Sequence, residues 1–409
     1  MLKLLKDAEE QLAVIKERPV PCQDLITESE LIEKLKNSIL HKKPLRIKLG
    51  IDASGPEIHL GFAVVLRKLR QFQELGHTAV LIVGDFTGRI GDPSGRSKTR
   101  PQLTKEEIKE NMARYREQIF KILIPEKTEF RYNSEWNDAL SAEEIINLTS
   151  KYTLARILER EDFAKRLKEG NPVYLHEILY PLFQGYDSIA TRADVELGGA
   201  DQYWNLLVGR ELMKEYNLPP QVIITVPLLE GLDGKLKMSK SYKNYVAITE
   251  PPLEMYGKIM SIPDTLIVRY FSLATNRSPE EIKKIKTQLK SGENPRELKS
   301  LLAKDIVTIY HSAAEAEKAA EEFDRIFKYK ELPEVIPTFQ APKERMLLVE
   351  LLHLAKLLPS KSEARRKITE GAVYVDGERI TDINHLLSLE KERTIKVGKR
   401  KFLKILPPV

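Results

Sequence analysis

Residues 237–241 read Lys-Met-Ser-Lys-Ser and lie in a glycine-bounded segment that spans residues 231–244. Two ammonium groups and two hydroxyl groups on one short loop can bind a polyphosphate, because charge-assisted hydrogen bonds to phosphate oxygens are strong. A lysine cluster is more often only a solvated surface. Both interpretations stay open on these residues alone.

A second candidate is His59-Leu60-Gly61, at the point where a predicted strand and turn lead into a predicted helix. The imidazole of His59 can hydrogen-bond to a phosphate at the helix N-terminus, where free backbone N–H groups already favour anions. Gly61 has no Cβ, so a flat ring such as adenine can lie against its backbone. A helix-starting histidine and a packing glycine are the alternative, and taken alone the pattern is weak.

Residues 84–96 contain four glycines and a proline, and they follow a predicted buried strand. The carboxyl end of a strand is where α/β sheets bind ligands. Asp92 can accept a hydrogen bond from an ammonium group there, while Arg96 and Arg100 can bind phosphates. The alternative is a solvated surface loop.

A predicted helix over residues 176–187 carries Tyr180, Gln184 and Asp187 at spacings of i, i+4 and i+7. This spacing places the three side chains on one face. An apolar helix rarely has an amide and a carboxylate on its aromatic face unless they bind something. We therefore expect this face to line a binding site.

The elements that position these residues form a strand–loop–helix–strand unit. Apolar residues alternate with others over residues 46–51, a turn follows, a helical pattern runs up to Gly76 as its C-cap, and residues 79–83 form a buried strand. Residues 193–202 predict a strand that enters a Gly-Gly turn, with Asp201 and Gln202 at the start of a helix. This organisation predicts an α/β fold with a Rossmann-type parallel sheet.

The remaining segments predict further domains. Residues 1–44 have a helical pattern, and residues 104–170 predict a helical insertion with a short strand at 129–132 and a surface suited to a dimer. The predicted division is a catalytic domain at 1–245, a helical domain at 246–332, a proline-punctuated linker at 333–342 and a small α+β domain at 343–409. In that last domain, Asp376-Gly377 between two short apolar runs predicts a hairpin.

The positive charge of the chain is concentrated at one end. The net charge is +6, from 66 Lys+Arg and 60 Asp+Glu, and residues 343–409 contain 15 Lys+Arg and 9 Asp+Glu. The preceding 342 residues are therefore neutral. A local basic excess is typical of a nucleic-acid-binding module, and a basic helix beside a small sheet suits RNA.

Cysteine content and hydropathy predict a cytoplasmic protein. A single cysteine, Cys22, excludes an internal disulfide framework and fits a reducing compartment. The N-terminal stretch is charged throughout, unlike a signal peptide, and no segment approaches transmembrane length.

These motifs, in this order, resemble the bacterial tyrosyl-tRNA synthetases over essentially the whole chain. Residues 59–62, His-Leu-Gly-Phe, resemble the His-Ile-Gly-His signature, and residues 237–241 match the Lys-Met-Ser-Lys-Ser signature of class I synthetases. The 84–96 loop, the 180–187 face and the Gly198-Gly199-Ala200-Asp201-Gln202 run narrow the resemblance to the tyrosyl and tryptophanyl pair. The basic tail resembles the S4 RNA-binding domain that bacterial tyrosyl enzymes carry.

The resemblance implies a role for each candidate residue. Asp187 would bind the phenol hydroxyl of tyrosine. Its ammonium group would be held by Tyr180, Gln184 and Asp92. Gln202 would orient its carboxylate. The residues implied for binding ATP are Asp52, His59, Gly61, Gly199, Asp201, Lys237, Met238, Ser239 and Lys240. Those implied for stabilising the transition state and the departing pyrophosphate are His59, Lys237, Lys240, Arg96 and Arg100. The candidate RNA-binding residues on the basic helix are Lys361, Arg365, Arg366 and Lys367.

Two residues depart from the family pattern. Phe62 replaces the second histidine of the signature, and Lys48 occupies a strand position where one branch of the family has a tyrosine that helps bind the substrate hydroxyl. The resemblance further implies tRNA(Tyr), L-tyrosine and ATP with Mg²⁺ as partners, a homodimer, and no metal site of the protein's own. The alternatives are a tryptophanyl enzyme and a non-enzymatic RNA-binding paralogue.

Overall fold

The computed structural model of the protein describes residues 2–17, 20–52, 57–93, 104–328, 336–398 and 401–408. The chain divides into two compact units, Met1–Glu317 and Lys318–Val409. Within the described ranges, no helix combines the length and the apolar composition needed to cross a membrane.

The larger unit is built on a six-stranded sheet. Its strands are β1 (Asp24–Ile26), β2 (Arg46–Ile51), β3 (Thr78–Val83), β4 (Thr128–Tyr132), β5 (Val195–Gly199) and β6 (Val222–Val226). They lie in the order β1-β6-β5-β2-β3-β4, and all neighbours are parallel except β1 and β6. The predicted α/β class with a Rossmann-type parallel sheet is confirmed.

The helices of this unit connect and cover the strands. They are α1 (Leu2–Glu17), α2 (Glu28–His41), α3 (Leu60–Glu74), α4 (Thr87–Ile90), α5 (Lys105–Ile119), α6 (Ser134–Asn137), α7 (Ala142–Ser150), α8 (Leu154–Leu158), α9 (Glu161–Lys168), α10 (Leu175–Thr191), α11 (Tyr203–Glu215), α12 (Pro252–Met260), α13 (Ile267–Ala274), α14 (Pro279–Lys290) and α15 (Pro295–Tyr310). A sixteenth helix, α16 (Ala313–Phe327), crosses the boundary between the two units. Short 3₁₀ turns lie at Pro125–Lys127, Ala200–Gln202, Lys240–Tyr242 and Asp264–Leu266.

The predicted β2-α3-β3 unit is present. The apolar face of α3 packs against β2, β3, β5 and β6, and Gly76 follows the helix at φ +96°, a conformation that favours glycine. The N-terminal segment differs from its helical prediction, because the three-residue strand β1 separates α1 from α2 and pairs with β6. Three residues are too few for strand periodicity to show.

The segment predicted as an insertion, residues 104–170, contributes to the sheet itself. Its predicted short strand exists as β4 and pairs with β3 along five positions, which makes it the edge strand. Because β3 and β4 are parallel, the residues that follow β4 lie at the carboxyl ends of the strands, as do the residues that follow β3.

In its described residues, the smaller unit contains a five-stranded sheet, a two-stranded sheet and two helices besides its part of α16. The strands are β7 (Thr338–Gln340), β8 (Arg345–Leu347), β9 (Val373–Val375), β10 (Glu378–Ile380), β11 (Leu386–Ser388), β12 (Arg393–Val397) and β13 (Lys401–Leu406), and the helices are α17 (Leu348–Leu354) and α18 (Lys361–Thr369). Strand order is β10-β9-β12-β13-β7, with β11 paired to β8. The predicted hairpin is confirmed as β9–β10, with Asp376 and Gly377 both at positive φ.

Some sequence predictions fall outside the described residues. Arg96 and Arg100, the turn at residues 53–56 and the first three residues of the predicted linker are among them. The four-part domain division stays a prediction.

A buried ion pair joins two central strands of the larger sheet. Lys48 on β2 is fully buried, and its Nζ donates to Glu196 Oε1 on β5 at 2.7 Å and to Ser188 Oγ on α10 at 2.8 Å. Glu196 Oε2 also accepts from Gln221. These contacts tie α10 to the sheet beneath it.

We expect Lys48→Met to lower the free energy of unfolding by about 3–5 kcal/mol, because it leaves the Glu196 carboxylate buried without its cation. Urea unfolding of the larger unit measures this. Adding Glu196→Gln should recover part of the loss. Lys34→Met, which breaks a more exposed 3.7 Å pair with Asp194, should cost about 1 kcal/mol or less. Equal losses in Lys48→Met and Lys34→Met would contradict the prediction.

Candidate active site

A cavity of about 290 Å³ lies where strands β2, β3, β5 and β6 end. The fourteen described residues for which the family resemblance implies a role in catalysis or in tyrosine or ATP binding all line it. They are Asp52, His59, Gly61, Asp92, Tyr180, Gln184, Asp187, Gly199, Asp201, Gln202, Lys237, Met238, Ser239 and Lys240. The structure thus brings together residues from five separate segments of the chain.

The most deeply buried acid of the cavity is Asp187 on α10, which is 3% exposed. Its Oδ1 accepts from Trp136 Nε1 at 2.8 Å and from Asn137 Nδ2 at 3.4 Å, and its Oδ2 accepts from Asn133 Nδ2 at 3.3 Å. Burial raises the pKa of the Asp187 carboxyl to about 7, against the opposing attraction of the Lys48 ammonium. The carboxylate is held in a fixed orientation in the cavity wall.

Sequence reasoning missed the donors Asn133, Trp136 and Asn137. They follow β4 directly, and Asn133 lies at its C-terminal end. The signal that could have found them is position, because polar side chains that follow a parallel strand lie at the ligand-binding edge. That signal depended on assigning β4 to the main sheet.

A second acid, Asp52, lies at the end of β2. Its Oδ2 accepts from the Tyr180 hydroxyl and its Oδ1 from Thr87 Oγ1, both at 3.0 Å. Gly84, at the end of β3, makes this approach possible, since a Cβ there would lie 2.1 Å from Asp52 Oδ1. Tyr180 is therefore oriented by an acid for which the family resemblance implies ATP binding.

The two amides of the site share one donor. Asn205 Nδ2 donates to Gln184 Oε1 and to Gln202 Oε1, each at 3.1 Å, and Gln202 Nε2 donates to Asp92 Oδ2 at 2.9 Å. Asn205 is itself held by Arg160, whose guanidinium donates to Asn205 Oδ1 at 2.9 Å. Asn205 was not predicted, and it orients both glutamines.

His59 is the N-cap of α3. Its Nδ1 accepts from the Phe62 backbone N–H at 3.2 Å, so the neutral ring carries its proton on Nε2. Burial, with the Lys240 and Lys237 ammonium groups nearby, lowers the pKa of His59 to about 4. His59 can therefore act as a neutral hydrogen-bond donor near pH 7 but not as a cation.

The segment 231–244, called the lysine loop below, contacts the His59 motif (residues 59–61) and the Gly-Gly turn (residues 198–202). Lys237 Nζ forms an ion pair with Asp201 Oδ2 at 2.6 Å, and Met238 Sδ accepts from the Gly61 N–H at 3.2 Å. A Cβ at Gly61 would lie 3.1 Å from Met238 Cβ, so the close contact favours glycine. Two motifs about 180 residues apart in sequence therefore meet over one cavity.

The residues that depart from the family pattern lie in different places. Phe62 lines the cavity, whereas Lys48 lies beside it, with its ammonium donating to Glu196, to Ser188 and to the Gln184 backbone oxygen at 2.9 Å. Lys48 thus acts on the site through α10.

The four candidate RNA-binding residues lie on α18 in the smaller unit. Three of them have acidic neighbours: Lys361 with Glu350 at 2.8 Å, Lys367 with Glu370 at 2.7 Å, and Arg366 within 3.8 Å of Glu363 and Glu370. Pairs this exposed contribute little to stability and can exchange partners. Their arrangement is compatible with binding phosphates.

Two family models together match nearly the whole chain. Residues 40–328 match the class I tRNA synthetases (W and Y), and residues 328–405 match the SYY-like C-terminal domain of tyrosine–tRNA ligase.

Curated relatives carry the similarity along the full length. The tyrosine–tRNA ligase of Thermotoga maritima is 53% identical over 97% of each chain, and that of Carboxydothermus hydrogenoformans is 54% identical over 98% of each. Among solved structures, a C-terminally truncated mitochondrial tyrosyl-tRNA synthetase from Aspergillus nidulans has a TM-score of 0.64 at 20% identity. The match covers 80% of this chain and 98% of that one, and shows the fold. On the full-length identity of about one half, the chain belongs to the tyrosine–tRNA ligase family of the class I tRNA synthetases.

Proposed function

We propose that this protein joins L-tyrosine to tRNA(Tyr) in two steps. The tyrosine carboxylate attacks the α-phosphate of ATP, which enters with Mg²⁺, to give tyrosyl-adenylate and pyrophosphate. A ribose hydroxyl at the 3′ end of the tRNA then takes the tyrosyl group. The observation that carries this proposal is the buried, oriented Asp187 carboxylate in a cavity that both signature motifs line.

Tyrosine fits the polar pattern of the cavity. The Asp187 carboxylate would accept a hydrogen bond from the phenol hydroxyl. Tyr180, Gln184 and Asp92 would hold the ammonium group. Gln202, whose Nε2 already donates to a carboxylate, would orient the carboxylate of the substrate. No covalent catalyst is needed, because positioning supplies much of the rate.

The ATP half of the cavity offers donors and cations. Asp201 and the Gly199 backbone would bind the ribose, and the adenine ring would lie near Gly61. His59 would donate from Nε2 to a phosphate, and Lys237 and Lys240 would stabilise the charge that builds on pyrophosphate. Arg96 and Arg100 are proposed for the same charge, by resemblance alone.

We further propose a cytoplasmic homodimer. Large apolar side chains of residues 142–175 are well exposed, among them Ile146 (68%), Leu154 (55%) and Leu175 (79%). A contiguous exposed apolar patch marks an interaction surface, and we propose that these side chains form one. The sequence predicts a dimer surface in residues 104–170, so a second copy of the chain is the proposed partner.

Pyrophosphate exchange with each amino acid in turn tests the function. We expect exchange to depend on L-tyrosine, because phenylalanine would leave the buried Asp187 site without its hydroxyl. Tyrosyl-tRNA synthetases are themselves the standard example of this effect, with discrimination of about 10⁵ against phenylalanine. Exchange driven equally by tryptophan would favour the tryptophanyl alternative. Absence of exchange with every amino acid would favour the RNA-binding paralogue.

We expect tyrosine binding to tighten as pH rises from 6 to 8. Asp187, with its pKa raised to about 7, loses its proton in this range, and a charged acceptor binds a phenol more strongly than a neutral acid does. The KM for tyrosine in exchange should fall roughly fivefold. His59 does not titrate there, because its pKa is held to about 4.

The matched control for the pH profile is Asp187→Asn, whose amide does not titrate. Its KM for tyrosine should be higher and should lose the pH dependence between 6 and 8. A wild-type KM that is constant over this range, or a profile that persists in Asp187→Asn, would contradict the assignment.

The basic helix α18 is proposed to bind tRNA phosphates. Arg365→Ala with Arg366→Ala should weaken tRNA binding and make its log–log salt dependence shallower by about 1–2, since each phosphate contact contributes roughly 0.7–0.9. Pyrophosphate exchange should be unchanged. Lys6→Ala with Lys43→Ala removes the same charge from exposed positions of the larger unit and should leave the slope intact. Unchanged tRNA binding and an unchanged salt slope in the α18 variant would show that these arginines do not bind the RNA.

A further inference from the structure

Tyr115, on helix α5, contacts the second lysine of the lysine loop. The Tyr115 hydroxyl accepts from Lys240 Nζ at 2.6 Å, and the same ammonium lies 5.2 Å from the centre of the Tyr115 ring. The Glu57 backbone oxygen accepts from Lys240 at 3.1 Å on the other side. A phenol oxygen, an aromatic ring and a carbonyl oxygen surround this ammonium, so its position is restricted.

The surroundings of Tyr115 separate it from an ordinary surface contact. Its side chain is 3% exposed, yet it lines the cavity that contains His59 and Lys237. The Lys240 ammonium is at the end of a long flexible side chain, and such a side chain loses much rotamer freedom when it is fixed. A buried partner that fixes it in advance reduces what must be ordered during the reaction.

The same helix also contacts the first signature motif. Gln118, three residues after Tyr115 on α5, accepts from the Ile58 backbone N–H at 2.7 Å, directly before His59. Residues three apart share one face of a helix. One face of α5 therefore sets the position of the lysine loop and of the His59 segment relative to each other.

We propose that Tyr115 is a positioning residue that holds the Lys240 ammonium toward the cavity for the polyphosphate of ATP. This role rests on the proposed function, since it concerns the first step of that reaction. Tyr115 acts through Lys240 and does not itself bind tyrosine. The class of group that Lys240 then meets is the β- and γ-phosphates that leave as pyrophosphate.

A double-mutant cycle on the full-length protein tests the proposal. The variants are Tyr115→Phe, Lys240→Ala and their combination, and the readout is the rate of tyrosyl-adenylate formation in single turnovers, with the KM for tyrosine. Tyr115→Phe should slow this step about 10- to 100-fold, the range for losing a hydrogen bond to a charged group, with the KM for tyrosine unchanged. In the Lys240→Ala background the same substitution should change the rate less than about twofold. Tyr256→Phe, which removes a part-buried 2.7 Å hydroxyl contact with Ser300 in the helical region, should leave the rate intact.

Equal effects of Tyr115→Phe in both backgrounds would overturn the proposal, as would an unchanged rate or a matching rise in the KM for tyrosine. A second measurement does not need activity: labelling of Lys240 by an amine-reactive reagent, followed by peptide mass spectrometry. Tyr115→Leu should raise the labelling rate of Lys240 several-fold and leave that of Lys243, an exposed lysine of the same loop, unchanged. Unchanged Lys240 labelling would overturn the contact itself. Lack of tyrosine-dependent exchange in the wild type would instead count against the proposed function.

Discussion

The burial of the Asp187 carboxylate is the constraint on which the rest of the site depends. Taking a carboxylate out of water costs several kcal/mol, so the charged form persists near pH 7 only with donors around it. Those donors, among them Trp136 and Asn133, come from the segment after β4, whereas Asp187 comes from α10. The donors and the acid can meet only if β4, the short helix α6 and the long helix α10 keep fixed positions relative to one another. The Lys48–Glu196 ion pair helps to fix the position of α10, because Lys48 also donates to Ser188 on that helix.

The cavity itself follows from the absence of side chains at strand ends. A Cβ on Gly84 would meet Asp52 at 2.1 Å, one on Gly198 would meet Gln202 Cβ at 2.9 Å, and one on Gly199 would meet Asp201 Oδ1 at 2.7 Å. Each glycine lets a polar side chain lie against the edge of the sheet. Because these approaches occur at the carboxyl ends of β3 and β5, the strands on either side of β2, acids and amides from separate segments converge on one volume of about 290 Å³.

The sequence predicts those parts of the site that depend on local pattern. Period-2 and period-3.6 hydropathy locate β2, α3 and α10, and the spacing of Tyr180, Gln184 and Asp187 places them on one face. The partners Trp136, Asn205 and Tyr115 carry no such local signal. Their roles arise from which elements lie side by side, and in particular from β4 joining β3. Periodicity describes one element at a time, so contacts between distant segments appear only in the structure.

In the proposed reaction, the polar groups of the site exchange protein partners for groups of the substrates. Lys237 pairs with Asp201, and Lys240 with Tyr115 and the Glu57 carbonyl, before any ligand is considered. A ribose hydroxyl at Asp201 would compete with Lys237, which frees that ammonium at the moment when phosphates arrive beside it. His59, kept neutral chiefly by burial and also by the same two lysines, adds a donor without adding a third positive charge. The charge that develops on pyrophosphate would therefore meet cations that protein groups already orient, and charges oriented in advance stabilise a transition state strongly.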